Sequence, residues 1–502
     1  MTSSDTLRDE FPDGRRGPVR ALLASTLVLT AVTFLPVLVL FFAQDDFMLM
    51  QRAVNEPGWG FAFTKHHYRP LTKYLYFAVM YAAFGLKPFA YHLVSLLVHV
   101  ANTWLVFKVI GRLGVRRLPA VLASALFGMN VAFLNAVAWV ACIQQLAGTL
   151  FFLTCLWTGI RAVQERSRPL GFVSALAYVL AVLSLEQTFA AGPLLVVLAA
   201  LGIGGRRRSP SEILRTLWPH VLVFSVYTLA RVFKGVPDSG YAGFAYGRNV
   251  LENLAAYLGA MTNPWPAVSN RITAAPLAPR VTHVILVALV GYHLVRRRVT
   301  PVVFAGAFVL ATLFPTLFLR EHEFYYHTYP AALGVFYLSA LALSDLFRIR
   351  ALRAPRARVV TASVLVAGLF GTSLVSVHTQ LRRASDPRVW ADASFVIRRS
   401  RLGRTIHDDI VSKVGNGQGI RTVHMVYYDW QQVDTGGRKR DLFWALGNGA
   451  LVAMALGDPS INVVLEPDRQ WISRGESPGT RVLMVDREGH VYTLSEVRGR
   501  SR

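Results

Sequence analysis

The 502-residue chain is predicted to be an α-helical polytopic membrane protein with a small α/β unit at its C-terminal end. Three observations carry this. Hydrophobic residues make up 53% of the chain and charged residues only 16%, well below the roughly 25% usual for a soluble domain. Apolar runs of about 18 residues or more recur, which is the signature of membrane-crossing helices. Past residue 379 those runs stop and short alternating segments begin, as in a mixed soluble domain.

The charge is distributed as a membrane protein's should be. The net charge is +24, from 53 Lys and Arg against 29 Asp and Glu. Arg clusters fall in every second loop: Arg15, Arg16 and Arg20; Arg112, Arg116 and Arg117; Arg161, Arg166 and Arg168; Arg206 to Arg208; Arg296 to Arg298; and Arg348 to Arg358. That is the positive-inside pattern, and it removes nucleic acid as the expected partner. It predicts a multi-pass protein of the cell (inner or plasma) membrane, with a cytoplasmic tail at 1–20 and a membrane domain at 21–378. The two cysteines, Cys142 and Cys155, read as small core hydrophobes.

With the Arg clusters as cytoplasmic markers, about eleven spans follow. The first, 21–42, is too long for a cleaved signal core. A long outer loop, 43–87, comes next. Within it, "YRPLTKYLYFAVMYAAFGL" reads as a helix lying at the outer interface and ending at Gly85. Spans at 88–110, 118–134, 144–162, 169–184, 188–204 and 218–235 follow, with outer tips at 135–144 and 185–187. A second long outer loop, 236–280, contains a helix at 248–261 and the Pro-broken "TNPWPAVSN". The remaining spans are 281–295, 300–318, 330–347 and 358–378. This count leaves 379–502 outside. There "RTVHMVYYDW", "INVVLEP", "RVLMVD" and "HVYTLSEV" read as strands, and "DLFWALGNGALVAMAL" as a helix interrupted at Gly447 and Gly449. The Arg residues between 382 and 404 break the inside rule, and read as a basic helix near anionic headgroups or as a solvated face.

Several outer loops contribute polar groups to one membrane face. They are Asp45 and Asp46 in "FFAQDDFMLM"; His66, His67, Tyr68, Arg69 and Lys73; Glu186; and Arg320, Glu321, His322, Glu323, Tyr325, Tyr326 and His327. Carboxylates are expensive at a membrane edge, so adjacent acids with apolar flanks point to a site for a polar headgroup. His92 and His99, seven apart on one helix face, read as structural.

The acidic pair, "YRPLTKYLYFAVMYAAFGLKPFAYHLVSLLVHVAN", "NAVAWV" and "SLEQ" together resemble the GT-C superfamily of integral-membrane glycosyltransferases. Within it the nearest group is the tetratricopeptide-carrying O-mannosyltransferases and their bacterial relatives, though no such repeats follow here. The resemblance covers roughly 21–347 and is most specific from Tyr68 to Asn102. It implies a polyprenyl-phosphate-linked sugar donor, a catalytic acid at Asp45 or Asp46, and single-step inverting displacement. Relatives carry a "SKE"-like tip, matched by Ser184, Leu185 and Glu186 without the Lys. They carry His and Glu before "AVAW", where this chain has Asn130, Phe133 and Asn135. Their last outer hairpin reads Glu-Arg, aromatics and Pro; "EHEFYYHTYP" keeps all but the Arg.

The residues point to the same chemistry. Glycosyl transfer from a lipid phosphate needs a base for an acceptor hydroxyl and cations for the departing phosphate. One Asp would take the proton while the other holds the acceptor or a divalent cation (Mg or Mn). Lys73, Arg69 or Arg320 would receive the phosphate. The partners expected are the polyprenyl-phosphate sugar, membrane lipids and an extracytoplasmic acceptor (protein, lipid or envelope glycan). The alternatives are a transporter or flippase of lipid-linked saccharide, or a non-catalytic relative acting as a membrane scaffold.

Overall fold

A computed structural model describes residues 17–56, 69–203, 205, 207–234, 245–262, 278–319, 324–349, 352, 354–386, 389–390, 393–427, 438–466 and 475–500. His66, His67, Tyr68, Arg320, Glu321, His322 and Glu323 lie outside the described residues, as does the "TNPWPAVSN" loop after Thr262.

The first helix, Gly17–Phe34, runs on through a 3-10 stretch, Leu35–Val39, where Pro36 removes a backbone donor. Thr26, Thr30 and Thr33 each return a hydroxyl to the carbonyl four residues back, so their polar groups are satisfied within the apolar helix. An extended segment then leads to the Asp45–Asn55 helix, whose first turn holds both acids. The predicted interfacial helix is present as a π-helical turn, Pro70–Leu75, followed by Tyr76–Phe84. It ends as expected at Gly85, where φ is +52°.

Among the described residues, six helices are long and apolar enough to cross a membrane: Gly17–Val39, Pro88–Arg112, Val140–Glu165, Pro210–Phe233, Val299–Leu317 and Pro355–Arg383. Arg117–Gly128 with Val131–Ala138 forms a further crossing candidate, bent by 43°. Shorter apolar helices, Arg168–Val182, Glu186–Leu201, Thr282–Val295 and Ala332–Leu346, occupy the other positions where the sequence predicts spans. The last long helix overruns its predicted end at 378, reaching Arg383. Large apolar side chains such as Val232 and Phe233 stand exposed on the bundle, as lipid-facing residues do.

Inside, a polar knot joins three elements. His99 Nδ1 lies 2.6 Å from the Tyr329 hydroxyl, and Asn102 Nδ2 donates to that hydroxyl at 3.2 Å and to Leu146 O at 2.9 Å. Close approach matters most at Gly148. A Cβ there would meet Leu185 Cβ at 2.5 Å, so glycine lets the Ser184–Glu186 tip seat on the Val140–Glu165 helix.

The C-terminal unit is a four-stranded sheet in the order β2-β1-β3-β4: β1 Thr422–Tyr427, β2 Asn462–Glu466, β3 Thr480–Val485 and β4 Val491–Thr493. β1 runs parallel to β2 and β3, and β3 and β4 form an antiparallel hairpin. All four predicted strands are there, but "HVYTLSEV" is a strand only to Thr493. Glu496 Oε2 accepts from the Thr493 N–H at 2.6 Å and from its hydroxyl at 2.9 Å, a carboxylate cap at the start of the Leu494–Arg500 helix. "DLFWALGNGALVAMAL" breaks as predicted, into Arg438–Ala445 and Ala450–Ala455 around a 3-10 turn at Gly447–Gly449.

Candidate functional site

The site begins where the first span ends. Phe41, Phe42 and Ala43 are buried, so the chain enters the Asp45–Asn55 helix already fixed. Gln44, just before it, has φ +54° and ψ −113°, an uncommon backbone for a residue with a Cβ. The two acids then separate in environment. Asp46 is fully buried. Its Oδ2 accepts the Ala43 N–H at 2.8 Å and its Oδ1 accepts the Ala141 N–H at 2.6 Å. Asp46 therefore ties the first outer loop to the turn after Trp139, whose indole donates to Ala43 O at 3.2 Å. Burial pushes the Asp46 carboxyl up, against the two amides that favour its ionised form.

Asp45 is half-buried and faces charges. Burial raises its carboxyl above the usual range, and Lys73, a hydrogen bond from Gln44, Arg399 and Arg52 each pull it back. Lys73, on the π-helical turn, is brought down to about 8, by burial first and then by Arg69. Asp45 and Glu186 act on it in the opposite direction. π-Turns recur at functional positions, and this one holds Lys73 within electrostatic range of Asp45. Both groups lie between the first two long spans.

Arg69 and Glu186 meet as the sequence grouping implies. The Arg69 guanidinium donates to Glu186 and to Gln144. The Thr72 hydroxyl donates to Ser184 O at 2.8 Å, which seats the π-turn on that tip. From the last outer hairpin, Tyr325–Thr328 forms a 3-10 turn. Gln187 Nε2 donates to His327 O at 3.2 Å, joining this turn to the Glu186 tip. Tyr326 is buried and lies within electrostatic range of Asp45 and Arg69. It stacks on Phe324 with centroids 5.1 Å apart and meets Trp139 edge-on at 5.8 Å. His327 packs against Tyr326 at 4.5 Å, and Tyr325 is half-buried.

Four contributors escape the sequence grouping: Gln44, Gln144, Arg399 and Asp441. Arg399 lies on the Phe395–Lys413 helix, which the sequence offers as a headgroup-binding or solvated face. That reading is corrected for Arg398 and Arg399. Both donate to the buried Asp441, at 2.6 and 2.9 Å, and Arg399 also donates to Gln44. The signal available was the run of Arg residues where the inside rule forbids them. Nothing local to Gln44 announces its backbone.

Both Asp46 oxygens are taken by amides, and Asp45 faces cations. Among the described residues no group of three His, Cys, Asp or Glu is placed to hold a metal ion.

No known family model matches the chain. Over 86 residues it is 38% identical to protein O-mannosyl-transferase Tmtc1 of Drosophila melanogaster, a stretch that takes in 17% of this chain and 10% of that protein. It is similar to the solved oligosaccharyltransferase of Archaeoglobus fulgidus in the apo form, with TM-score 0.46 and 12% identity, over 91% of this chain and 66% of that one. It is similar to ArnT from Cupriavidus metallidurans bound to undecaprenyl phosphate, with TM-score 0.49 and 14% identity, over 94% and 93%. A third likeness is to arabinofuranosyltransferase AftD from Mycobacteria, with TM-score 0.43 and 15% identity, over 83% and 30%. The chain is a helical protein with several membrane-crossing segments and a small C-terminal sheet.

Proposed function

We propose that this chain is a membrane glycosyltransferase that moves a sugar from a polyprenyl-phosphate donor to an extracytoplasmic hydroxyl. The observation that carries the reading is a desolvated Asp45 just past the first long apolar helix, within electrostatic range of Lys73 and of Tyr326, with Glu186 in turn within range of Lys73. Asp45 accepts the proton of the acceptor hydroxyl as its oxygen attacks the anomeric carbon. The bond from that carbon to the phosphate oxygen breaks in the same step, with inversion. The phosphate departs with the bonding pair, and Lys73 faces its charge. Burial makes Asp45 the stronger base and leaves Lys73 charged at neutral pH. Asp46 holds the loop instead of sharing the chemistry, and Arg69 braces Glu186.

The resemblance to Tmtc1, an O-mannosyl-transferase by name, supports sugar transfer over transport. The purified chain in lipid nanodiscs, given radiolabelled polyprenyl-phosphate mannose, glucose or arabinofuranose with envelope extracts as acceptors, should release polyprenyl phosphate and label one acceptor class. Failure with every such donor, alongside movement of intact donor between leaflets, would replace the enzyme with a flippase.

A further inference from the structure

Arg399 has surroundings that packing alone does not ask for. It is 8% exposed, and its guanidinium carbon lies 4.7 Å over the Phe395 ring and 5.8 Å over the Trp444 ring. Nε donates to Asp441 Oδ1 at 2.9 Å, while Arg398 Nε takes Oδ2 at 2.6 Å. One Nη donates to the Gln44 side-chain oxygen, and Gln44, the residue directly before Asp45, acts with Arg399 to pull that carboxyl down. Two guanidiniums thus share the single charge of Asp441, and Asp45 is the further carboxylate in the field of Arg399.

The helix carrying Arg399 is docked by other means. Ser400 Oγ accepts the Phe41 N–H at 2.8 Å, and Arg404 donates to Val39 O at 2.8 Å. Gly403 passes so close that a Cβ would lie 3.1 Å from Phe42 O. On the opposite side Gly447, at φ +54°, would place a Cβ 2.9 Å from Gln44 O. These contacts hold residues 39–44 in place. None of them needs a buried cation aimed at Gln44.

We infer that Arg399 is a positioning residue for Asp45: through Gln44 it sets the direction of the carboxylate, and so makes the C-terminal α/β unit a working part of the site. This rests on the reading of Asp45 as the base. The groups that face Asp45 are Lys73 from the π-turn, Asp46 and Arg52 from its own helix, Tyr326 from the last outer hairpin, Cys142 from the turn after Trp139, and Arg399. Removing Arg399 takes away one cation and the orienting bond, and leaves Lys73 and Arg52 in place.

The test uses the full chain with Cys142→Ala and Cys155→Ala, and follows alkylation of the thiol supplied by Asp45→Cys against pH. Arg399→Met should move the midpoint up by about 0.5–1 unit, and Arg399→Lys should recover part of that shift. With Asp45 retained, Arg399→Met should move the acid limb of kcat/KM upward and lower kcat more than it raises KM. A packing role alone would lower thermal stability and leave the midpoint alone. An unchanged midpoint in a folded Arg399→Met chain overturns the proposal. If that variant does not fold, Gln44→Ala keeps the Arg399–Asp441 pair and is read instead. An upward shift there supports the relay, and no shift overturns it. The thiol titration needs no substrate, so an active Asp45→Asn chain would sink the base and leave this inference separately decided.

Discussion

Arg69 donates to both Glu186 and Gln144, 117 and 75 residues further along the chain. One guanidinium therefore locks the first outer loop to two later tips. Its side chain is 15% exposed and that of Glu186 12%, so removing one partner strands a poorly solvated charge. Arg69→Met should cost on the order of 2–3 kcal/mol, read as a lowered unfolding temperature in detergent. Arg69→Met with Glu186→Gln should regain part of the loss. A double variant no better than the single would show that the pair does not act as a pair.

The two acids differ in what Asn would replace. Asp46→Asn turns an NH2 toward one of two amide donors, a loss of about 1–3 kcal/mol, set against removal of a carboxylate that burial also raises. Asp45 has a folded-state carboxyl raised above its unfolded value. The unfolded chain then gives up that proton more readily, so at neutral pH the ionised group costs stability. Asp45→Asn should leave the unfolding temperature unchanged or higher. Calorimetry of both single variants at pH 7 and pH 5 checks this.

Lys73 gives a pH signature. Its ammonium, brought down to about 8, loses its proton as pH rises through that value, and transfer should fall on the alkaline side with it. Lys73→Arg should extend activity to higher pH, and Lys73→Met should remove the limb and most of the rate. Stability moves the other way. Between about 8 and the ordinary 10.5 the unfolded chain binds more protons, so this group makes the fold more stable as pH rises. An alkaline limb unchanged by Lys73→Arg would assign it to another group.

Topology is the next expectation. Arg399 touches Gln44, so the Asp45 loop and the C-terminal unit share one side of the membrane. Reporter tags after Arg208 and Arg298 should be cytoplasmic and a C-terminal tag extracytoplasmic. A cytoplasmic C-terminal tag would put the whole site on the inner face.

How far the sequence carries can be argued from particular residues. Apolar run length and Arg spacing place the long helices because both are properties of one segment at a time. The helix ending at Gly85 was legible for the same reason. The division of labour between Asp45 and Asp46 was not, because the Ala141 amide that occupies Asp46 comes from 95 residues away. Arg399 was visible as a charge out of place, but its partners, Gln44 and Asp441, are set by tertiary docking. "HVYTLSEV" misled by its alternation, where the Glu496 carboxylate caps Thr493 and a helix begins.

The central claim is that Asp45 is the base. The direct measurement is the initial rate of sugar transfer by Asp45→Asn in nanodiscs, with its donor and acceptor supplied and its unfolding temperature checked. The side chain keeps its size and loses its basicity, so the rate should fall by about 10²–10⁴-fold in a chain that remains folded. Transfer at the wild-type rate by that folded variant would contradict the assignment.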